Sequence, residues 1–182
     1  LTTTQIPVLT TASIAAFSTA QVPYFTTAQI VALTTAQVAA IETADFAKLS
    51  VSQIAAIATD DIAALTTPQI VALTTAQAGA LTSTQIANLT TTQIAAFETA
   101  DIAKLSTAAL AGLTTAQVAA LTTAQVAALT SAQVTKLTTA QIAALETADV
   151  ASIATAALAG LTSTQLVALT TAQVAALTST QL

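Results

Sequence analysis

The sequence lacks four residue types altogether: it contains no histidine, cysteine, methionine or tryptophan. Without histidine there is no imidazole base or imidazole metal ligand, and without cysteine there is no disulfide, thiolate nucleophile or zinc-thiolate cluster. Charged residues make up 6% of the chain, whereas soluble domains usually carry about 25%. No serine is paired with a base, and no phosphate-binding loop is present. We therefore expect a protein that is not an enzyme and that binds no cofactor and no metal ion.

Positive charge is especially scarce. The chain has no arginine, its three lysines (Lys48, Lys104 and Lys136) are widely separated, and its net charge is −5. Nucleic-acid binding and attachment to anionic lipid both depend on clustered cations, so we expect neither. The mean hydropathy is high at +0.79. Even so, Thr or Ser interrupts every apolar run long before the roughly 18 residues of a membrane span, and we expect no transmembrane segment.

What the sequence has instead is an eight-residue repeat, the octad, whose consensus is Leu-Thr-Thr-Ala-Gln-Val-Ala-Ala. Twenty-two full octads and six further residues fill the chain without an insertion or deletion. Position 1 is always Leu, Ile or Phe, and position 6 is large and apolar except at Ala78. The unbroken frame predicts one continuous solenoid over residues 1–182. Because the chain starts at Leu1 without a methionine or signal peptide, we expect either a mature product or a segment of a longer repeat array.

The octad period does not suit one long helix, because eight residues leave a rotation of about 80° per repeat and the apolar residues would wind around the axis. Short helices fit better. Sixteen of the 23 octad starts have Thr or Ser at position 2 and Gln at position 5, the two partners of a capping box. In the same register, positions 1 and 6 form a hydrophobic staple. The sequence therefore predicts an all-α solenoid of very short helices over positions 3–8, with positions 1 and 6 in the core. A β-solenoid remains the alternative.

Two prolines are incompatible with regular helices in this register. Pro7 and Pro23 both fall at position 7, where a proline cannot donate the backbone hydrogen bond to position 3. They predict distorted helices in the first and third octads.

Charged residues cluster only in a few variant octads. Glu42, Asp45 and Lys48, and likewise Glu98, Asp101 and Lys104, are three residues apart and are predicted to share a helix face; the densest acidic pair is Asp60-Asp61. Paired carboxylates can bind a cation or serve hydrolysis. The interpretation we favour is that the acids stabilise helix N-termini and the lysines C-termini, with no metal. The octads beginning at 41, 97 and 145 are related variants at unequal spacing, so they do not fix the number of octads per coil.

Regular threonines suggest two resemblances. Evenly spaced Thr on a flat solenoid face resembles the arrangement in ice-binding proteins, although capping also accounts for Thr at position 2. The segment from Leu33 to Ile41 resembles the first helix of transcription activator-like effector repeats. Those repeats also carry a second helix and a base-reading loop, which are absent here, and three lysines without arginine predict no DNA recognition.

The function predicted from these features is structural. We expect an exported bacterial repeat protein that associates with itself, end to end or laterally, in an extracellular fibre, a filament or a cell-surface layer. Open solenoid ends expose core and favour stacking. The alternative is a binding module, such as an ice-binding face or an adhesin stalk.

Overall fold

The computed structural model describes residues 1–182 and contains twenty α-helices, two 3₁₀ helices and no strand. The prediction of an all-α solenoid is confirmed, and the β-solenoid alternative is wrong. Each α-helix has only four to six residues. The helices are α1 (Thr11–Ala15), α2 (Thr27–Val31), α3 (Thr35–Ala40), α4 (Thr43–Phe46), α5 (Val51–Ala56), α6 (Thr59–Ile62), α7 (Thr67–Val71), α8 (Thr75–Gly79), α9 (Ser83–Asn88), α10 (Thr91–Ala96), α11 (Thr99–Ile102), α12 (Thr107–Ala111), α13 (Thr115–Ala119), α14 (Thr123–Ala127), α15 (Ser131–Val134), α16 (Thr139–Ala144), α17 (Thr147–Ser152), α18 (Thr155–Leu158), α19 (Ser163–Val167) and α20 (Thr171–Ala175).

The predicted helix register is confirmed at the N-terminal side. Every α-helix begins at position 3, and the N-cap at position 2 has an extended backbone, as in Thr114 with φ −72° and ψ 160°. The C-terminal side is less regular, because helices end at position 6, 7 or 8. A helix of this length is unstable alone, so its stability must come from the neighbouring coils.

The prolines at position 7 have the predicted effect. The first and third octads form 3₁₀ helices, Ile6–Val8 and Val22–Tyr24, in place of α-helices. Pro68 behaves differently because it lies in the first turn of α7, where its missing N–H removes no intrahelical bond, and the capping box around it is complete.

The solenoid coil takes about three and a half octads. Helices three octads apart pack against each other, as α14 does with α17. Side-chain hydrogen bonds also join each octad to residues 28 and 31 positions earlier, as from Gln117 to Leu89 and Ile86. Two coils therefore span about 56 residues, the spacing of the related octads that begin at Ile41 and Phe97.

The core is a thin continuous column. Thirty-nine buried apolar residues form one cluster from Ile6 to Leu161. Nearly all come from positions 1 and 6, as predicted, and Phe46 and Phe97 pack within the column. Because each coil contacts only the coils before and after it, stability is shared between neighbouring coils along the rod.

Among the three glycines, Gly112 lies closest to a neighbouring coil. A Cβ at this position would lie 2.7 Å from the carbonyl oxygen of Ser83 and 2.9 Å from its Cβ. At Gly79 the nearest atom, the carbonyl oxygen of Lys104, would be 3.1 Å away.

These distances predict different outcomes for the two alanine substitutions. Gly112→Ala should destabilise the fold by about 1–3 kcal/mol, because backbone atoms must move apart. Gly79→Ala should change stability by less than about 1 kcal/mol, since better helix propensity offsets the tighter contact. Urea unfolding followed by circular dichroism at 222 nm measures both; equal effects would contradict the assigned contact.

Candidate interaction surfaces and the glutamine ladder

Glutamine at position 5 completes the predicted capping box. In α13, the Gln117 backbone N–H donates to Thr114 Oγ1 at 3.2 Å, and the Thr114 N–H donates to Gln117 Oε1 at 2.8 Å. The same reciprocal pair caps thirteen of the α-helices. Local sequence was enough to predict this role.

The same glutamines also connect neighbouring coils. Gln117 Nε2 donates to the carbonyl oxygens of Ile86 at 2.8 Å and Leu89 at 2.6 Å, in the preceding coil. Every position-5 glutamine that has residues 28 and 31 positions earlier makes both bonds. We call these residues the glutamine ladder: Gln37, Gln53, Gln69, Gln77, Gln85, Gln93, Gln117, Gln125, Gln133, Gln141, Gln165, Gln173 and Gln181.

Sequence reasoning missed this second role. A capping box accepts Glu as readily as Gln, and yet position 5 never contains Glu. The absence of Glu at position 5 was the sequence signal that could have revealed the second role. A glutamate oxygen can accept the N-cap bond, but only an amide also donates to the carbonyls of the coil before it.

Four octads place a buried aspartate in the ladder position: Asp45, Asp61, Asp101 and Asp149. An ionised carboxylate has no hydrogen to donate to the preceding coil. Asp61 accepts a bond from the Thr35 hydroxyl. Asp101 and Asp149 are both 1% exposed, and each has an Oδ2 without a hydrogen-bond partner. These two carboxylates therefore interrupt the ladder at positions where a charge is poorly accommodated.

The predicted charged faces do not form. Asp45 and Asp101 are buried beneath the adjoining coil, whereas Glu42 and Glu98 are exposed N-caps whose side chains make no capping bond. α4 and α11 end two residues before Lys48 and Lys104, which are exposed. Asp60 and Asp61 do not form an acidic pair on one surface either, because Asp60 is exposed and Asp61 is buried. No three acidic residues are grouped closely enough to hold a metal ion together.

The pKa of the Asp101 carboxyl is raised from 3.8 to about 6, mainly by burial and secondly by the nearby Glu98 carboxylate. Burial is likewise the main cause of the raised pKa of Asp45, with Glu42 as the second cause. Both folded-state pKa values lie above the unfolded value, so the folded chain binds protons more tightly than the unfolded chain.

This shift predicts that mild acid stabilises the fold. The contribution of Asp101 is complete below pH 3.8 and is lost as the pH rises towards 6, a difference of about 3 kcal/mol. The free energy of unfolding, measured by urea titration, should therefore increase as the pH is lowered from 7.5 to 4. Asp101→Asn should be more stable than the natural chain at pH 7.5 and should show a flatter pH profile. An unchanged profile would contradict burial of this carboxyl in its ionised form.

The two ends of the rod expose different parts of the octad. At the N-terminal end position 1 is uncovered: Leu1 is exposed and Phe17 and Phe25 are half-buried, whereas position 1 is buried in the middle of the rod. The Phe17 and Phe25 rings meet edge to face, 4.9 Å apart between centroids. Gln5 and Gln21 are exposed there, and only their side-chain oxygens form hydrogen bonds, to the N-cap backbone of their own octads.

At the C-terminal end, position 6 is uncovered. Leu166 is 49% exposed, Val174 47% and Leu182 89%, although position 6 is fully buried in the middle of the rod. Leu166 and Leu182 line an apolar depression together with Leu158, Leu161 and Leu169. The last ladder bonds run from Gln181 to the carbonyl oxygens of Val150 and Ile153.

Hydroxyl groups form the third surface. Position 3 is Thr or Ser in 22 of the 23 octads, and these side chains are exposed except for the half-buried Thr59 and Thr107. Only the Thr35 hydroxyl forms a hydrogen bond within the chain. The capping boxes use position 2, so capping does not account for the hydroxyls at position 3.

The architecture defines a class: an α-solenoid whose unit is a single capped octad, joined to the preceding coil by a buried amide. Within that class, the chain belongs to the ALTTAQ repeat family, whose model matches residues 1–35, 38–75, 54–91, 94–131, 119–147 and 142–179. No curated protein and no solved structure matches the chain. None of the helices is long and apolar enough to cross a membrane.

Proposed function

We propose that this ALTTAQ repeat protein is a structural, self-associating element that forms an extracellular fibre, a filament or a layer at the cell surface. The observation that carries the proposal is the continuous apolar column, which runs through successive octads without interruption. The neutral threonine and alanine flanks add little electrostatic repulsion between rods lying side by side.

Negative-stain electron microscopy over a concentration series tests this function. We expect rods that lengthen or associate as the protein concentration rises, with an axial spacing set by the coil. Analytical ultracentrifugation should show a matching rise in mass above 18.0 kDa. Dispersed single rods at millimolar concentration would contradict a fibre or layer function.

The second candidate is a binding module, an ice-binding face or an adhesin stalk. It is favoured by the exposed position-3 hydroxyls, which capping leaves unused. Thermal hysteresis separates the ice-binding version: it should appear at millimolar protein and diminish when Thr115 and Thr123 are replaced by lysine. Absence of hysteresis in the natural chain would remove this candidate.

A further inference from the structure

Two charged octads lie on the same side of the rod. The octads that begin at Ile41 and Phe97 are about 56 residues apart, and one coil takes about 28, so the second lies two coils beyond the first at the same angle around the axis. In each octad, Glu at position 2 is exposed where this side of the coil begins, and Lys at position 8 is exposed where it ends. We call the exposed residues of these octads the Glu–Lys side: Glu42, Thr43, Ala44, Lys48, Glu98, Thr99, Ala100 and Lys104.

The middle of the Glu–Lys side carries small side chains. Threonine and alanine lie between the Glu and the Lys of each octad, and Ala47 and Ala103 are half-buried. In the coil between the two octads, Val71 follows Thr43 by one coil, precedes Thr99 by one coil and is 46% exposed. Small side chains around one half-exposed valine allow another flat surface to approach closely.

The exposed acids of this side take no part in capping. Glu42 and Glu98 are N-cap residues, but their side chains make no capping bond. The basic end lies apart from them, because α4 ends two residues before Lys48 and α11 ends two residues before Lys104. Each octad therefore presents an acidic end and a basic end to its surroundings.

This order of charges suits two parallel rods. A two-fold axis parallel to the rods sets the Glu end of one copy opposite the Lys end of the other, at both charged octads and at matched levels. An antiparallel pair sets Glu42 opposite Glu98 and Lys48 opposite Lys104 instead. Like charges placed directly opposite oppose association, so charge complementarity selects the parallel arrangement.

We propose that a second copy of this chain packs against the Glu–Lys side in a parallel two-fold pair, with the glutamates of each copy opposite the lysines of the other. The proposal rests on the self-association put forward above and specifies a lateral surface for it. A single exposed ion pair contributes little, but this arrangement forms four together, and Val71 lies near the centre of the interface. The Glu–Lys side is set by octads within the chain and does not depend on where the rod begins or ends.

Two full-length variants test the pairing. Glu42→Lys with Glu98→Lys makes the Glu–Lys side wholly positive, and Lys48→Glu with Lys104→Glu makes it wholly negative. Each variant alone places like charges opposite each other and should associate about 100-fold more weakly than the natural chain. An equimolar mixture should restore the pair. Both variants keep a negative net charge, since each shifts the natural −5 by four units, so net charge does not draw them together.

The matched control is Asp60→Lys with Glu146→Lys. It changes the net charge as the wholly positive variant does, but at exposed residues on other sides of the rod, and it should pair like the natural chain. Analytical ultracentrifugation measures association as a shift from 18.0 kDa towards twice that mass. Circular dichroism at 222 nm verifies that every variant is folded.

A single introduced thiol tests the orientation, because the natural chain has no cysteine. In a parallel pair, two Ala44→Cys chains bring their thiols together near the two-fold axis and should form an intermolecular disulfide in air. Ala116→Cys, at an exposed residue on another side, is the control and should remain largely monomeric. A disulfide that forms only between Ala44→Cys and Ala100→Cys chains would overturn the parallel arrangement.

The outcomes separate this interface from the structural function. Charge-reversed variants that pair alone, or a mixture that stays monomeric while the natural chain still associates, would overturn the Glu–Lys interface and retain the structural function. A natural chain that never associates would overturn both.

Discussion

Gln117→Glu is expected to destabilise the solenoid by about 3–5 kcal/mol at pH 7, although it replaces one oxygen-bearing side chain with another of the same length. Gln117 is 2% exposed, and its Nε2 donates hydrogen bonds to the carbonyl oxygens of Ile86 and Leu89 in the preceding coil. Glutamate can keep the capping bond to the Thr114 N–H, but it buries a negative charge against two carbonyl oxygens. Urea unfolding followed at 222 nm measures the loss.

Gln117→Ala is the matched control. Alanine leaves the two carbonyls without a donor but introduces no charge, and the chain itself carries buried alanines at position 5, Ala109 and Ala157. We expect a cost of about 1–3 kcal/mol. The two variants should also differ in pH dependence: the glutamate variant regains stability on acidification as its carboxyl takes up a proton, whereas the alanine variant does not. Equal losses at pH 7 would mean that the buried charge adds no cost, and a loss near zero in the alanine variant would mean that the ladder amide contributes little.

The buried aspartates show the same constraint in the natural chain. Asp101 occupies the ladder position without an amide, has an unpartnered Oδ2 and has its pKa raised to about 6 by burial and by Glu98. The solenoid therefore accommodates the Asp101 carboxyl at position 5 with a shift towards the protonated form. The chain contains four such octads among many that carry Gln, and neighbouring ladder bonds stabilise the coils around them.

Local features of the fold were predictable because they depend on residues within one octad. The N-cap Thr114 and the box partner Gln117 are three residues apart, and Leu113 and Val118 form the staple of the same helix, so sequence spacing alone gives the helix start. Pro7 acts locally as well, through its missing N–H. These elements required no knowledge of the coil.

Features that depend on the coil were not predictable in the same way. The number of octads per coil follows from where the Gln117 amide finds carbonyls, 28 and 31 residues away. The burial of Asp101 has the same origin: a helix of four residues has no face of its own, and the adjoining coil decides which side chains are covered. The prediction that Glu98, Asp101 and Lys104 share a face failed because it treated the helix as longer and freestanding.

Val126→Asp is expected to have the largest effect of all, at least about 4 kcal/mol, because it buries an unpaired charge in the middle of the apolar column. Val126 is fully buried and belongs to the single apolar column that runs through the rod. In an array stabilised by nearest-neighbour contacts, one unfolded coil removes the cooperativity between the repeats on its two sides. Urea unfolding should therefore change from one transition to two, with the segments before and after α14 unfolding at different denaturant concentrations.

Val174→Asp isolates the effect of coverage, because residues 121–128 and 169–176 have identical sequences and their helices have equivalent bounds. The same substitution at the last coil meets water at one side of the side chain, so we expect a loss of under about 1.5 kcal/mol and a single transition. Unfolding is measured at low protein concentration, where end-to-end contact does not contribute. If the two variants lose equal stability, then burial by the following coil does not stabilise position 6.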